Sequence, residues 1–163
     1  MTWDEYFLEV CNAVAKNSKC LSRKIGAILV RDKKIFSTGY NGPPAGMSHC
    51  NERYHFDKGE TIIVENTCPR ILAGYKSGEG LHLCPAGHAE RNTLNNAASL
   101  GISTKGSKMY MNCGIPCKDC LIEIINAKIE EIICTDFVYY DELSKIILED
   151  PGVKLKVRTY DFI

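Results

Sequence analysis

Two short stretches carry residues whose types and spacing can do chemistry. "AGHAERN" (Ala86 to Asn92) sets His88 two positions before Glu90, where Gly87 gives way to a helical pattern. "IPCKDC" sets Cys117 and Cys120 three apart at a second helix start, behind Pro116. Residues i and i+3 share one face of a first turn, so both thiols point the same way. Unpaired N–H groups at a helix start favour thiolate over thiol. A soft dication such as Zn²⁺ accepts two thiolates and one imidazole, which leaves one tetrahedral position for solvent, the layout of a catalytic site. Glu90 is turned from His88 by about 200°, so the two do not share a helix face, but they can flank one small object across the helix end. A metal-bound water is such an object, and a carboxylate beside it can take and deliver its proton. A lone C-x-x-C also suits a redox pair; the upstream His-x-Glu and Pro116 weigh for metal.

The elements that must position these groups are legible from periodicity. "TWDEYFLEVCNAVAKNSK" reads as a helix, with capping-box spacing between Thr2 and Glu5 and an apolar stripe of Trp3, Phe7, Val10 and Val14. "IGAILVRDKKIFSTGYN" reads as two strands around a polar turn. "HAERNTLNNAASLG" is a helix ended by Gly101, "KMYMNC" a strand, "CKDCLIEIINAK" a helix, "EEIICTD" a strand, "DELSKIILEDPG" a helix and "VKLKVRTY" a last strand. This order predicts an α/β fold, a three-layer α-β-α sandwich about a central mixed five-stranded sheet, as a single domain over residues 1–163. Residues 43–85 keep no period and are rich in Gly, Pro, Cys, His and charge. Structureless stretches of that length are rare inside compact domains, so something must pin this insertion.

The totals narrow the class. The chain has 163 residues, 45% hydrophobic and 25% charged, with a formal net charge of zero. That balance supplies no basic stripe, so nucleic acid is not an expected partner. No apolar run approaches the roughly 20 residues that span a bilayer, so no membrane partner is expected either. "MTWDEYF" lacks the layout of a signal peptide, and a cytoplasmic location is expected. Nine cysteines, an odd number, point to metal or catalysis rather than a disulfide framework. Cys11, Cys113 and Cys134 lie in apolar surroundings and read as core thiols.

"HAE" followed by "PCKDC" resembles the zinc-dependent nucleobase deaminases. Within that superfamily, "IGAILV", "STGYNGPPAG", "HAERN", "MYMNCGIPCKDC" and "EEIICTD" occur in the order and spacing of the deoxycytidylate (dCMP) deaminases, a resemblance running from about Leu21 to Asp141. It implies a cytidine deaminase-like fold and hydrolytic conversion of dCMP to dUMP and ammonia, feeding dTTP synthesis. It assigns the catalytic zinc to His88, Cys117 and Cys120, and the proton shuttle to Glu90. It places Asn41 near the deoxyribose and an aromatic, Tyr139 or Tyr140, over the base; Tyr140 is the preferred assignment. The substrate phosphate needs a cation, with Arg23, Lys24, Arg53 and Arg70 as candidates and Lys24 the one favoured by the family pattern. Gly39, Tyr40, Asn41 and Gly42 match a loop associated with a triphosphate effector, dCTP activating and dTTP inhibiting, with Mg²⁺, in members that are usually homohexamers. Two glycines there suit a backbone that closely approaches phosphates. Some phage members hold a second, structural zinc with cysteines matching Cys20 and Cys50. Here an all-cysteine site of Cys20, Cys50, Cys68 and Cys84, with His82 or His49 as substitutes, is expected to order the insertion. The competing readings are a zinc deaminase of another substrate (a nucleoside, a pyrimidine intermediate or a nucleic-acid base) and a zinc-stabilised binding module without catalysis.

Overall fold

The computed structural model describes residues 1–52, 55–62, 66–76 and 78–160. Its elements in chain order are α1 (Trp3–Ala15), β1 (Gly26–Arg31), β2 (Lys34–Tyr40), β3 (His55–Asp57), β4 (Glu60–Ile62), α2 (Pro69–Leu72), α3 (Ala89–Ser99), β5 (Lys108–Met111), α4 (Lys118–Asn126), β6 (Glu131–Cys134), α5 (Glu142–Glu149) and β7 (Lys156–Thr159). The main sheet has five strands in the order β2-β1-β5-β6-β7. β1 runs antiparallel to both β2 and β5, whereas β5, β6 and β7 run parallel. It is the mixed sheet expected from the element order. The β1–β2 turn has Asp32 and Lys33 both at positive φ, 52° and 60°, the backbone that the right-handed twist of a two-residue hairpin requires.

Strand alternation divides the core into two layers. Ala27 and Leu29 of β1, Met109 and Met111 of β5, and Ile132 and Cys134 of β6 pack together with residues of α3 and α4. Ile28, Val30, Tyr110 and Ile133 point the other way, onto Phe7 and Cys11 of α1. The sheet therefore lies between α1 on one face and α3 with α4 on the other. α1 is entered through the capping box read from the sequence, with Glu5 N–H donating to Thr2 Oγ1 at 3.2 Å. Of the expected stripe, Phe7 is buried and Val10 and Val14 pack half-buried against the same layer, joined by the buried Cys11 and Ala15, while Trp3 is half exposed and stacks on Phe7 at 5.6 Å. Gly26 permits the close seating of α1 on β1, since a Cβ there would come within 2.3 Å of the Cys11 carbonyl oxygen.

The insertion is not featureless. It holds the β3–β4 hairpin, the one-turn α2 and short 3-10 turns at Cys50–Glu52 and Leu81–Leu83. Arg53, one of the cations proposed for the phosphate, lies outside the described residues. Among the described residues, no helix is long and apolar enough to cross a membrane.

Candidate metal centre and cavity

The N-termini of α3 and α4 meet at the end of the sheet. His88 is the N-cap residue of α3 and Cys117 that of α4, both with extended backbone. The extended cap turns each side chain across its helix end rather than along it. His88 Nδ1 lies 3.4 Å from the sulfur of Cys117 and 3.4 Å from that of Cys120. All three donor atoms lie within 4.8 Å of one another, and among the described residues this is the one group of three or more such donors drawn so close. A tetrahedral zinc with N and S ligands at ordinary bond lengths sets N···S edges of about 3.5 Å, so the donor set fits the ion in both chemistry and spacing. The Cys117 thiol is pulled down to about 4 by hydrogen bonds, first with Cys120 and then with His88, against the opposing effect of burial. Cys117 in turn raises His88. Glu90, in the first turn of α3, is only 5% exposed, and burial pushes its carboxyl above the usual range.

Polar rivets hold the two helix starts in place. Gly42 and Gly87 form an isolated antiparallel bridge, with N···O distances of 3.1 and 2.8 Å. Asn92 Nδ2 donates to the Tyr40 carbonyl at 2.8 Å and to the Gly87 carbonyl at 3.2 Å. The buried Thr93 hydroxyl reaches the Ala89 carbonyl at 2.7 Å, and its own carbonyl accepts from Ser37 Oγ at 2.7 Å. For α4, Asp141 accepts from Lys118 N–H at 2.9 Å while also capping α5 through Ser144 N–H, and Ser144 Oγ donates to the Pro116 carbonyl. Sequence reading passed over Asn92, Thr93 and Asp141. The signal was a helix too polar for its buried position, and an Asp three residues before a Ser.

Above the centre opens a cavity of about 410 Å³ lined by His88, Glu90 and Cys117, within the range typical of small-molecule sites. Asn41, Tyr139 and Tyr140 also line it, and the Tyr140 ring stands 6.2 Å from the imidazole of His88. Asn41 has a structural task as well: its Oδ1 accepts from Ile25 N–H at 2.9 Å and its Nδ2 donates to the Arg23 carbonyl at 2.8 Å. Lys24 is exposed and off the lining, whereas Arg23 and Arg70 are on it. Cys113, read as a core thiol, is buried in the core and also touches the cavity.

The other assigned residues sit elsewhere. Gly39 faces α3, where a Cβ would lie 2.4 Å from Thr93 N, so helix packing already accounts for this glycine. Tyr40 is exposed, at the end of the edge strand β2. Cys20, Cys50, Cys68, Cys84 and His49 all line a second, small cavity of about 30 Å³, although their donors are not gathered as tightly as those around His88. His49 Nδ1 is buried there without a hydrogen-bond partner. His82 is off this lining and packs edge-on against Tyr75 at 5.6 Å.

Residues 1–136 match the family model described as the cytidine and deoxycytidylate deaminase zinc-binding region. A deoxycytidylate deaminase of Schizosaccharomyces pombe is 32% identical over 156 residues, 95% of this chain and 44% of that protein. One from Mus musculus is 32% identical over 142 residues, 86% of this chain and 68% of that protein. The chain thus spans less than half the length of the yeast relative. The fold is similar to that of a dCMP deaminase from the cyanophage S-TIM5, solved in complex with dCMP and dUMP, at a TM-score of 0.65 and 23% identity over 94% of this chain and 95% of that one. With the His88, Cys117 and Cys120 cluster at the heart of the matched region, the chain belongs to the cytidine and deoxycytidylate deaminase zinc-binding family.

Proposed function

We propose that the chain is a zinc-dependent deoxycytidylate deaminase, converting dCMP and water to dUMP and ammonia. The observation that carries this reading is the buried carboxyl of Glu90 beside the His88, Cys117 and Cys120 donors in a nucleotide-sized cavity. His88, Cys117 and Cys120 would hold the zinc, which when bound acts as a Lewis acid that makes water nucleophilic at neutral pH. Glu90 moves both protons of the water in turn: it takes the first and delivers it to the ring nitrogen beside the amino-bearing carbon, then takes the second from the hydroxyl now on that carbon and passes it to the departing amine, which leaves as ammonia. Its burial keeps those transfers away from bulk solvent. Tyr140 covers the base, and Asn41, fixed by the backbone of residues 23–25, faces the sugar. Lys24, exposed and off the lining, gives way to its neighbour Arg23 as a phosphate contact.

The same reading has further parts. A structural zinc at Cys20, Cys50, Cys68 and Cys84 is supported by their shared cavity, where His49 serves as the substitute ligand in preference to His82. A dCTP or dTTP site with Mg²⁺ at Gly39–Gly42 is supported by the exposure of Tyr40 at the sheet edge. A homohexamer is supported by apolar residues facing solvent on adjacent helices, Ile122 of α4 with Leu143 and Ile146 of α5. Nine cysteines free of disulfides suit a reducing cytoplasm.

Turnover of dCMP, CMP, deoxycytidine and a cytosine oligonucleotide, measured side by side, tests the substrate. Comparable rates on dCMP and deoxycytidine would defeat the mononucleotide reading. Glu90→Gln is expected to lower turnover by about 10²- to 10⁴-fold with zinc content unchanged, whereas in a non-catalytic binding module it would alter nothing measurable.

A further inference from the structure

The two cations on the cavity wall come from different parts of the chain. Arg23 precedes β1, and Arg70 belongs to α2 inside the insertion. Arg70 is anchored at one end only: its Nη1 donates to the Glu79 carbonyl at 3.1 Å. Its Nε is buried and has no hydrogen-bond partner. Among the described residues, no carboxylate pairs with Arg70 or Arg23, although Arg91, Arg158, Lys108 and Lys118 each have an acidic partner. A buried guanidinium N–H left unpaired is an incomplete arrangement, because such donors are nearly always satisfied in folded proteins. The tether on Nη1 leaves the Nε–Nη2 edge, the side of the fork that grips a phosphate through two parallel bonds. The acidic groups of the same cavity are otherwise engaged: Glu90 lies buried beside the metal donors, and Asp136 accepts from Val138 N–H at 2.9 Å and from the Thr135 hydroxyl at 3.1 Å.

We propose that Arg70, supplied by the insertion and seconded by Arg23, is the residue that receives the 5′-phosphate and so makes this cavity select a nucleoside monophosphate over a nucleoside. This deepens the deaminase reading and rests on it. Arg70 also lines the small cavity bounded by Cys20, Cys50, Cys68 and Cys84, and it lies two residues after Cys68. The irregular segment thereby has a purpose at the site, since whatever orders the cysteine cluster also aims the arginine.

Equilibrium binding of dUMP and of deoxyuridine to the zinc-loaded protein, measured calorimetrically, tests the assignment without depending on turnover. Wild type is expected to bind dUMP at least tenfold more tightly than deoxyuridine. Arg70→Ala should collapse that ratio toward one while leaving deoxyuridine affinity in place, Arg70→Lys should keep part of it, and Arg23→Ala should reduce it less. Unchanged thermal unfolding and zinc content verify that the variants are folded. A ratio that persists in Arg70→Ala, or wild type binding both ligands equally, overturns the proposal. A dUMP preference that depends on Arg70 in a protein that fails to deaminate dCMP supports the clamp and defeats only the deaminase reading.

Discussion

Gly42 and Gly87 exchange both of their backbone hydrogen bonds, at 3.1 and 2.8 Å, although 44 residues of chain, including the whole insertion, separate them. This bridge ties the end of β2 to the residue before His88, so the imidazole is set by the sheet rather than by its own helix. A Cβ at position 87 would meet Asn92 Oδ1 at 2.5 Å, and Asn92 is itself held by the carbonyls of Tyr40 and Gly87. Gly87→Ala is therefore expected to cost about 1–2 kcal/mol of stability and to weaken zinc retention, with Asn92→Ala close behind. Thermal unfolding together with metal analysis after dialysis checks this; full retention of both would show that the bridge does not position the ligand.

The cysteine-lined cavity gives a stoichiometric prediction. Purified protein should carry about two zinc ions per chain, and Cys68→Ser should lower this to about one while sparing the site at His88. The loss should appear as easier proteolysis within the insertion. Wild type with a single zinc per chain removes the structural site from the account.

A charged contact ties α1 to β7. Arg158 donates to both carboxylate oxygens of Asp4, its Nη2 at 3.0 Å, and the Tyr110 hydroxyl donates to Asp4 Oδ1 at 3.0 Å. The hydrogen bond from Arg158 is the main reason the Asp4 carboxyl lies below its usual value. A carboxyl depressed in the folded state adds stability above its unfolded value, near 3.9, and loses it as pH falls through the folded value. Asp4→Asn should then cost about 1–2 kcal/mol at neutral pH, a figure moderated by the partial exposure of Arg158. The difference from wild type should shrink below pH 4. Parallel stability curves for the two proteins down to pH 3 would rule out this contribution.

The glycines of the "GYNG" loop separate packing from ligand binding. At Gly39 a Cβ would lie 2.4 Å from Thr93 N and 2.8 Å from its Cα, backbone atoms that cannot step aside, so Gly39→Ala should cost about 1–3 kcal/mol. At Gly42 the nearest atoms are on the Tyr40 ring, 3.7 Å away, so Gly42→Ala should leave the unfolding temperature nearly unchanged. If the loop holds a triphosphate, Gly42→Ala should still blunt the response of turnover to dTTP. Equal stability of the two variants contradicts the packing account.

The parts of this molecule that could be read from sequence are those with local causes. Thr2 and Glu5 announce the start of α1, and alternation in "IGAILV" and "KMYM" gives buried strands because each residue type answers to its own neighbours. His88, Glu90, Cys117 and Cys120 were legible because few other chemistries use those types at those spacings. What escaped was set by distant partners. The close seating of α1 at Cys11 and Ala15 requires Gly26 on β1, and Ser22, Arg23 and Ile25 line the cavity where Lys24 does not. The insertion was unreadable for the same reason: Cys20, Cys50, Cys68, Cys84 and Arg70 come from positions up to 64 residues apart to line one small cavity.

The meeting of two helix starts at His88 and Cys117 has an electrostatic corollary. Each start is the positive pole of its helix, worth roughly half an elementary charge, so the scaffold aims two like poles at one spot. A thiolate and a carboxylate there relieve that repulsion; uncharged replacements leave it in force. A redesign of this scaffold for neutral chemistry would have to compensate the poles before it could install a new catalyst.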